Sequence, residues 1–139
     1  MKAAVFRESG QPLEVVDVPT PEPGPGEVVV KVAGCGMCHT DLHYLDHGVA
    51  TFKSPPIILG HEAAGTVASV GNGVTDASEG DRVLIPAVLS CGRCPYCRAG
   101  RENLCDHLAM LGNHIDGAYA EYVAVPATEL IPVPDGLSL

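Results

Sequence analysis

The chain has no tryptophan, only 4% aromatic residues and no apolar run that approaches the length of a membrane span. A membrane-crossing helix needs about 20 consecutive apolar residues, so the sequence predicts no transmembrane segment. The first residues combine one lysine with a short apolar stretch, which is not the pattern of a signal peptide. We therefore expect a cytoplasmic protein without a membrane partner.

Basic residues are also scarce. The 8 lysines and arginines stand against 17 acidic residues, for a formal net charge of −9. The basic residues are scattered along the chain, whereas nucleic acids and anionic membrane surfaces are bound by basic patches. Nucleic acid is therefore not an expected partner, and the acidity is interpreted as a feature that favours solubility.

With so few aromatic residues, the core has to be built from aliphatic side chains, and the length of 139 residues suggests one domain. The 16 glycines and 12 prolines predict many turns between short strands. One short helix is expected at residues 38–45, and Gly71-Asn72-Gly73 is interpreted as a hairpin turn. Strands are expected at 2–7, 13–18, 27–33, 63–70, 82–85, 119–125 and 130–133. This pattern predicts a mainly β (α+β) fold of barrel-like form.

Four of the six cysteines follow the spacing C-x2-C-x2-C-x7-C: Cys91, Cys94, Cys97 and Cys105. In a cytoplasmic chain, such cysteines are more often metal ligands than disulfides. A structural zinc ion takes four ligands in a tetrahedron and keeps no open position for chemistry. We predict such a zinc-binding lobe at about residues 88–108. A ferredoxin-like iron–sulfur cluster and four unrelated buried thiols are the alternatives.

A second set of metal-ligand residue types lies upstream, on two separate segments. Cys38 and His61 each lie near turn-forming glycines, and a catalytic zinc keeps about three protein ligands with one position open. Thr40 and His43 would supply a hydroxyl and an imidazole nearby, and Asp41 is a candidate acceptor for the ring of a ligand histidine. Taken singly, a cysteine is more often a small buried residue and a histidine more often structural.

Three further residues of these types have a simpler interpretation. Cys35 is expected to be a packed residue at a strand end rather than a ligand. His107 and His114 lie beside the four-cysteine lobe and are interpreted as loop residues.

Together these motifs resemble the medium-chain, zinc-dependent alcohol dehydrogenases along the whole chain. The resemblance rests on Cys-His-Thr-Asp-Leu-His at 38–43, on Gly-His-Glu-Ala-Ala-Gly at 60–65 with Gly71 and Val74, on the four-cysteine lobe, and on Gly-Ala-Tyr-Ala-Glu-Tyr at 117–122. It implies that residues 1–139 form the N-terminal, GroES-like catalytic domain. The implied fold is a partly open β-barrel with a zinc-binding lobe.

The resemblance also implies a role for each residue of the upstream set. Cys38 and His61 would be ligands of a catalytic zinc, with Glu62 as a carboxylate that can approach the metal. Thr40 would take the proton of the alcohol, and His43 would relay it toward solvent. Asp41 would hold the ring of His61, and His39 would face the pyrophosphate of the cofactor.

The resemblance is incomplete, because the family's third zinc ligand is a cysteine beyond residue 139 and the glycine-rich dinucleotide-binding unit is absent. We expect the parent enzyme to be a homo-oligomer that oxidises an alcohol to an aldehyde or ketone with NAD or NADP, and the Rossmann domain to be missing here. The chain alone is predicted to be inactive. Zinc at its catalytic site should be weak, or completed by Glu62, water or an anion.

Other functions share parts of this pattern. Polyol, threonine and glutathione-linked formaldehyde dehydrogenases share both zinc-binding motifs. A co-chaperonin or a non-enzymatic GroES-like zinc module shares the fold but has no use for Cys38, His61, Thr40 and His43. Ethanol-active relatives tend to carry aromatic residues at 47–50 and 86–89, where this chain has smaller ones, so we expect a small alcohol or carbonyl substrate larger than ethanol.

Overall fold

The computed structural model describes all 139 residues and contains ten strands and two α-helices. The helices are α1 (His39–His47) and α2 (Pro95–Arg98), and two short 3-10 helices span Glu102–Leu104 and Ala127–Glu129. The strands are β1 (Lys2–Phe6), β2 (Glu14–Asp17), β3 (Glu27–Gly36), β4 (Ile57–Ile58), β5 (Glu62–Val70), β6 (Arg82–Ile85), β7 (Val88–Leu89), β8 (Ala109–Met110), β9 (Tyr122–Pro126) and β10 (Ile131–Pro132).

The strands form three sheets, and every strand pair is antiparallel. The main sheet has the order β10-β6-β5-β3-β9, a smaller one has the order β2-β1-β4, and β7 pairs with β8. Two shifts of register interrupt the long β3–β5 ladder, and such irregularities bend a sheet. The three sheets are separate in this pairing and do not close into a complete barrel. This arrangement confirms the prediction of a mainly β, partly open barrel.

The core is aliphatic, as the composition predicted. A cluster of 12 buried residues fills the main sheet and contains no aromatic side chain. Val28, Val29 and Val30 are all buried, so β3 is covered on both faces and reads as a continuous apolar run. A smaller cluster of Phe6, Tyr44, Ile57 and Leu59 packs α1 against the β1–β4 edge. This cluster sets the position of the helix that carries the upstream set.

Some elements differ from the sequence predictions. The helix predicted at 38–45 spans His39–His47, with Cys38 as its N-cap. Strands β4, β7 and β8 have two residues each, too few to show a periodicity. The Gly71-Asn72-Gly73 turn begins the 71–81 connection between β5 and β6 and is not a tight two-residue hairpin. Its backbone pairs with the start of β3: Gly71 N–H donates to Glu27 O, and Asn72 O accepts from Gly26 N–H. Neither α-helix is long and apolar enough to cross a membrane.

Candidate functional site

The four-cysteine lobe is a loop closed at its neck by two short strands. Val88 of β7 pairs with Met110 of β8, and Leu89 pairs with Ala109. Between these strands the chain forms α2 and one 3-10 helix, with Cys94 as the N-cap of α2 and Pro95 as its first residue. Proline suits the first position of a helix because its missing N–H would have no partner there. β7 and β8 lie at the two ends of the segment predicted as the lobe, about residues 88–108.

The four thiol sulfurs converge, and all of them lie within 4.8 Å of one another. The Cys94–Cys97 pair is separated by 3.5 Å and the Cys91–Cys97 pair by 4.0 Å. A tetrahedral zinc with sulfur ligands at about 2.3 Å needs sulfur–sulfur distances of about 3.8 Å. In an iron–sulfur cluster the thiolates bind separate irons, which spreads the sulfurs further apart. The residues present therefore fit a single tetrahedral ion.

Backbone N–H groups surround these sulfurs. Cys91 N–H and His107 N–H donate to Cys105 Sγ at 3.2 and 3.3 Å, and Cys97 N–H donates to Cys94 Sγ at 3.5 Å. The hydrogen bond from Cys97 N–H lowers the pKa of Cys94 to about 6. Burial raises the pKa of Cys97. A thiolate is thus favoured at Cys94 over Cys97, and a divalent cation would offset the charge of several thiolates.

The upstream set also converges. One ligand atom from each of Cys38, His61 and Glu62 lies within 4.8 Å of the others. Cys38 precedes α1, whereas His61 and Glu62 lie at the start of β5, where Glu62 pairs with Gly36 across the ladder. A Cβ added at Gly36 would collide with Oε2 of Glu62 and would lie 3.2 Å from the Cβ of Glu62. A glycine at position 36 therefore leaves room for the Glu62 side chain beside the other two.

Asp41 lies behind this group and is fully buried. Its Oδ2 accepts a hydrogen bond of 3.0 Å from Cys38 N–H, and its Oδ1 lies 3.7 Å from Nδ1 of His61. Oδ1 and Nδ1 are both buried without a hydrogen-bond partner, so each is the obvious partner of the other. A carboxylate facing Nδ1 favours the proton on that nitrogen and leaves Nε2 free. The donor set and this buried pair fit a zinc ion held by Cys38, His61 and Glu62.

The backbone around Gly60 fixes the position of His61. Gly60 has φ +92°, and a Cβ there would lie 2.6 to 2.9 Å from ring atoms of Tyr119. Gly112 and Gly117 also press on the Leu59–Gly60 backbone, where a Cβ on either would clash. Residues 117–119 form three hydrogen bonds with residues 58–60, of 2.7 to 2.9 Å. The 117–122 motif thus holds the segment that carries His61.

Tyr119 itself was not among the predicted site residues. Its hydroxyl donates to Asp41 Oδ2 at 2.9 Å, and Gly36 O lies 3.2 Å from the same hydroxyl oxygen. Burial, together with the hydrogen bond to Asp41, raises the pKa of Tyr119 above its usual 10.0. Tyr119 and Asp41 are 78 residues apart, and no local pattern connects them. The only signal in the sequence is that Tyr119 belongs to the 117–122 motif.

The remaining predicted residues lie along α1. Thr40 Oγ1 is 3.6 Å from Cys38 Sγ, which places the hydroxyl beside the candidate metal ligands. His43 and His39 are exposed on the helix surface, with ring centres 5.8 Å apart. The proton-relay and cofactor roles of these residues stay predictions.

The other cysteine and histidines remain outside both groups. Cys35 is partly buried near the end of β3, and burial raises the pKa of its thiol. A high thiol pKa is typical of an unreactive cysteine. His114 lies in the loop after β8, where its Nδ1 accepts a hydrogen bond of 3.2 Å from Met110 N–H. His107 is exposed in the loop after Cys105.

A groove of about 670 Å³ lies elsewhere on the surface, between β1, β2 and β9, and none of the predicted site residues lines it. The candidate site is therefore defined by its converging ligand atoms rather than by this groove.

The comparison with known proteins agrees with this geometry. Residues 24–135 match the family model "Alcohol dehydrogenase GroES-like domain". An alcohol dehydrogenase of Geobacillus stearothermophilus is 46% identical, over 99% of this chain and 41% of its own length. An L-threonine 3-dehydrogenase of Stenotrophomonas maltophilia is 42% identical, over 97% of this chain and 40% of its own length.

A solved structure of an NAD-dependent alcohol dehydrogenase superposes with a TM-score of 0.89 at 47% identity, over 99% of this chain and 41% of that one. The chain spans about two fifths of the length of the curated relatives it matches. The family model covers most of the chain, including the four-cysteine lobe and the Cys38–His61–Glu62 group. This chain belongs to the alcohol dehydrogenase GroES-like domain family.

Proposed function

We propose that the chain is the N-terminal catalytic domain of a zinc-dependent dehydrogenase, which oxidises an alcohol to an aldehyde or ketone by hydride transfer to a nicotinamide cofactor. The observation that carries this proposal is the convergence of Cys38, His61 and Glu62, with the buried Asp41 facing His61. A purely structural module has no need of an incomplete ligand set at the surface beside a free hydroxyl.

Each residue contributes in a different way. Cys38 Sγ and Nε2 of His61 would hold the zinc, with Glu62 close enough to complete the ligand set. When bound, zinc supplies a Lewis acid that lowers the pKa of an alcohol hydroxyl. Asp41 Oδ1, which faces Nδ1 of His61 at 3.7 Å, favours the proton on that nitrogen and so keeps Nε2 available. The partial burial of Cys38 and the exposure of Glu62 leave the site accessible to a substrate from one side.

The helix α1 offers a path for the proton that the alcohol loses. Thr40 Oγ1, beside Cys38, accepts the proton of the alcohol hydroxyl. At the same time Thr40 releases its own hydroxyl proton toward His43. His43 is three residues further along α1 and exposed, and residues at this spacing share one helix face. Imidazole exchanges protons near neutral pH, so His43 delivers the proton to solvent. Such a relay keeps the reacting atoms away from bulk water.

The cofactor is proposed to be NAD or NADP, held outside this chain, with His39 facing its pyrophosphate. Support comes from the NAD-dependent alcohol dehydrogenase whose structure matches this chain at 47% identity and from a Sinorhizobium meliloti relative solved with NADP bound, at 43% identity. The four-cysteine lobe would hold a second zinc that stabilises the loop without taking part in the reaction. Free thiols at all six cysteines support a reducing compartment such as the cytoplasm.

The test uses the complete protein that carries this domain. Cys38→Ser should remove a zinc ligand, abolish alcohol-dependent reduction of NAD and lower the zinc content. Cys35→Ser is the matched control, because Cys35 lies three residues away and outside the ligand group, and it should retain both. Full turnover in Cys38→Ser would refute the proposal.

A second candidate substrate is L-threonine, because threonine 3-dehydrogenases are 42% identical to this chain. The two substrate classes are separated by comparing kcat/KM for L-threonine with kcat/KM for a series of unbranched alcohols. We propose that alcohols larger than ethanol are preferred, since residues 47–50 and 86–89 contain no aromatic side chain. A kcat/KM that falls steadily with alcohol length beyond ethanol would contradict this preference.

A further inference from the structure

Three histidines form a row along the exposed surface of α1. His39, His43 and His47 are spaced four residues apart, which places them on one helix face. The ring centres of His39 and His43 are 5.8 Å apart, and those of His43 and His47 are 5.4 Å apart. The structure gives none of these rings a hydrogen-bond partner, whereas His114 Nδ1 accepts from Met110 N–H. Their ring nitrogens are therefore free to bind a ligand.

We propose that His43 and His47 form a two-imidazole site for a divalent transition-metal ion such as Zn²⁺. Two histidines four residues apart on a helix can bind one zinc ion. With zinc–nitrogen distances of about 2.1 Å, two rings that share a tetrahedral ion have centres about 5.2 Å apart. The observed 5.4 Å of His43 and His47 is close to this value. The site shares no residue with the two convergent groups described above.

The position on the helix favours the His43–His47 pair over the His39–His43 pair. His47 is the last residue of α1, before the Gly48 C-cap, whereas His39 is the first. The C-terminal end of a helix carries partial negative charge and attracts cations, and the N-terminal end repels them. The 5.8 Å between the rings of His39 and His43 is also further from the distance that a shared ion requires. The acidic chain, with a net charge of −9, adds a general attraction for cations.

Binding at this site has a consequence for the reaction that rests on the proposed function. A metal ion on His43 would occupy the ring nitrogen that the proton relay needs. Excess Zn²⁺ should then inhibit the enzyme without displacing the ion at Cys38 and His61. The binding itself does not depend on the relay.

The binding test titrates this chain with Zn²⁺ and follows the imidazole signals by NMR. Once the four-cysteine lobe and the Cys38–His61 group are loaded with zinc, the signals of His43 and His47 should shift together and saturate at one further equivalent, while those of His107, an exposed histidine on the lobe, stay unchanged. His47→Ala should weaken zinc binding at His43 by about 10-fold or more, because the second ligand raises the effective local concentration of the first. His39→Ala should leave the affinity unchanged. Equal binding in wild type and His47→Ala would overturn the site.

The functional test measures alcohol oxidation by the complete protein under added Zn²⁺. Measured against its own rate without added metal, His47→Ala should lose most of the inhibition that Zn²⁺ causes in wild type. Inhibition of equal strength in wild type and His47→Ala would overturn the proposed regulatory effect. Zinc binding at His43 without any inhibition would uphold the site and refute the relay role of His43, so the two proposals fail in distinguishable ways.

Discussion

Tyr119 Oη donates a hydrogen bond of 2.9 Å to Oδ2 of Asp41, across 78 residues of sequence. The same oxygen accepts the N–H of Cys38 at 3.0 Å. With both donors on Oδ2, the other oxygen of the carboxylate faces Nδ1 of His61 at 3.7 Å. One buried carboxylate thus connects three segments of the chain and orients Cys38 and His61, two of the three proposed zinc ligands.

Asp41→Asn should change the tautomer of His61. Two donors at Oδ2 would hold the amide oxygen of asparagine in that position, so its NH₂ group would face Nδ1 and force the ring proton onto Nε2. Metal affinity at the Cys38–His61 site should fall by about 10- to 100-fold, as for other partners of metal-binding histidines. Nitrogen NMR of the ring and a metal titration measure the two effects. Asp46→Asn, on the same helix but exposed, should change neither.

Tyr119→Phe should loosen Asp41 without opening a cavity, because only the hydroxyl is lost. Hydrogen bonds to charged groups contribute about 1.5–3 kcal/mol, and the partial exposure of Tyr119 places the expected loss at the low end. Chemical unfolding checks the stability, and a metal titration checks the weaker affinity at His61. Tyr122→Phe removes a hydroxyl that does not contact Asp41 and serves as the control. An unchanged metal affinity in Tyr119→Phe would show that Tyr119 does not support the metal site.

The raised pKa of Tyr119 predicts a loss of stability at high pH. Above pH 10.0, tyrosine in the unfolded chain releases its proton while Tyr119 in the folded chain keeps it. The unfolded state then binds fewer protons, so the free energy of unfolding decreases as pH rises. The decrease should be steeper in wild type than in Tyr119→Phe. If the free energies of unfolding of the two proteins fell in parallel as pH rises, the pKa of Tyr119 would not be raised in the folded chain.

Gly60→Ala should be among the most destabilising single substitutions in the chain. Gly60 combines φ +92° with ring atoms of Tyr119 at 2.6 to 2.9 Å from the new Cβ. Gly80 has a similar φ of +93° but nothing within 4 Å, so Gly80→Ala measures the backbone strain alone, about 1–3 kcal/mol. The crowding at Gly60 should add about 1–3 kcal/mol more. Thermal unfolding compares the two variants, and equal losses would argue against the contact with Tyr119.

The four-cysteine lobe should depend on its metal more than the rest of the domain does. Cys105→Ser should remove one zinc equivalent and make residues 91–108 sensitive to protease, because Cys94 and Cys97 are the only buried residues of that stretch. The 12-residue core should stay folded, since it draws on none of the four cysteines. Cys35→Ser should leave the metal content unchanged. Iron in place of zinc by elemental analysis would favour the iron–sulfur alternative.

Local patterns predicted much of the fold. β-branched segments such as Val28–Val30 marked the strands, because burial on both faces leaves a continuous apolar run. The two-residue strands β4, β7 and β8 were missed, since their pairing depends on distant partners rather than on a pattern of their own. The turn at 71–73 was also misjudged, because its backbone groups pair with the start of β3.

The four-cysteine lobe was determined by the sequence alone, since its ligands lie within one short loop and their spacing dictates how the chain can turn. The start of α1 at Cys38–His39–Thr40 was likewise determined by neighbouring residues. Tertiary structure alone decided that Glu62 lies opposite Gly36 and that Tyr119 holds Asp41. Contacts of this kind depend on strand register and on the close approach of backbones at Gly60. These properties arise only when distant segments pack together, so no spacing along the chain records them.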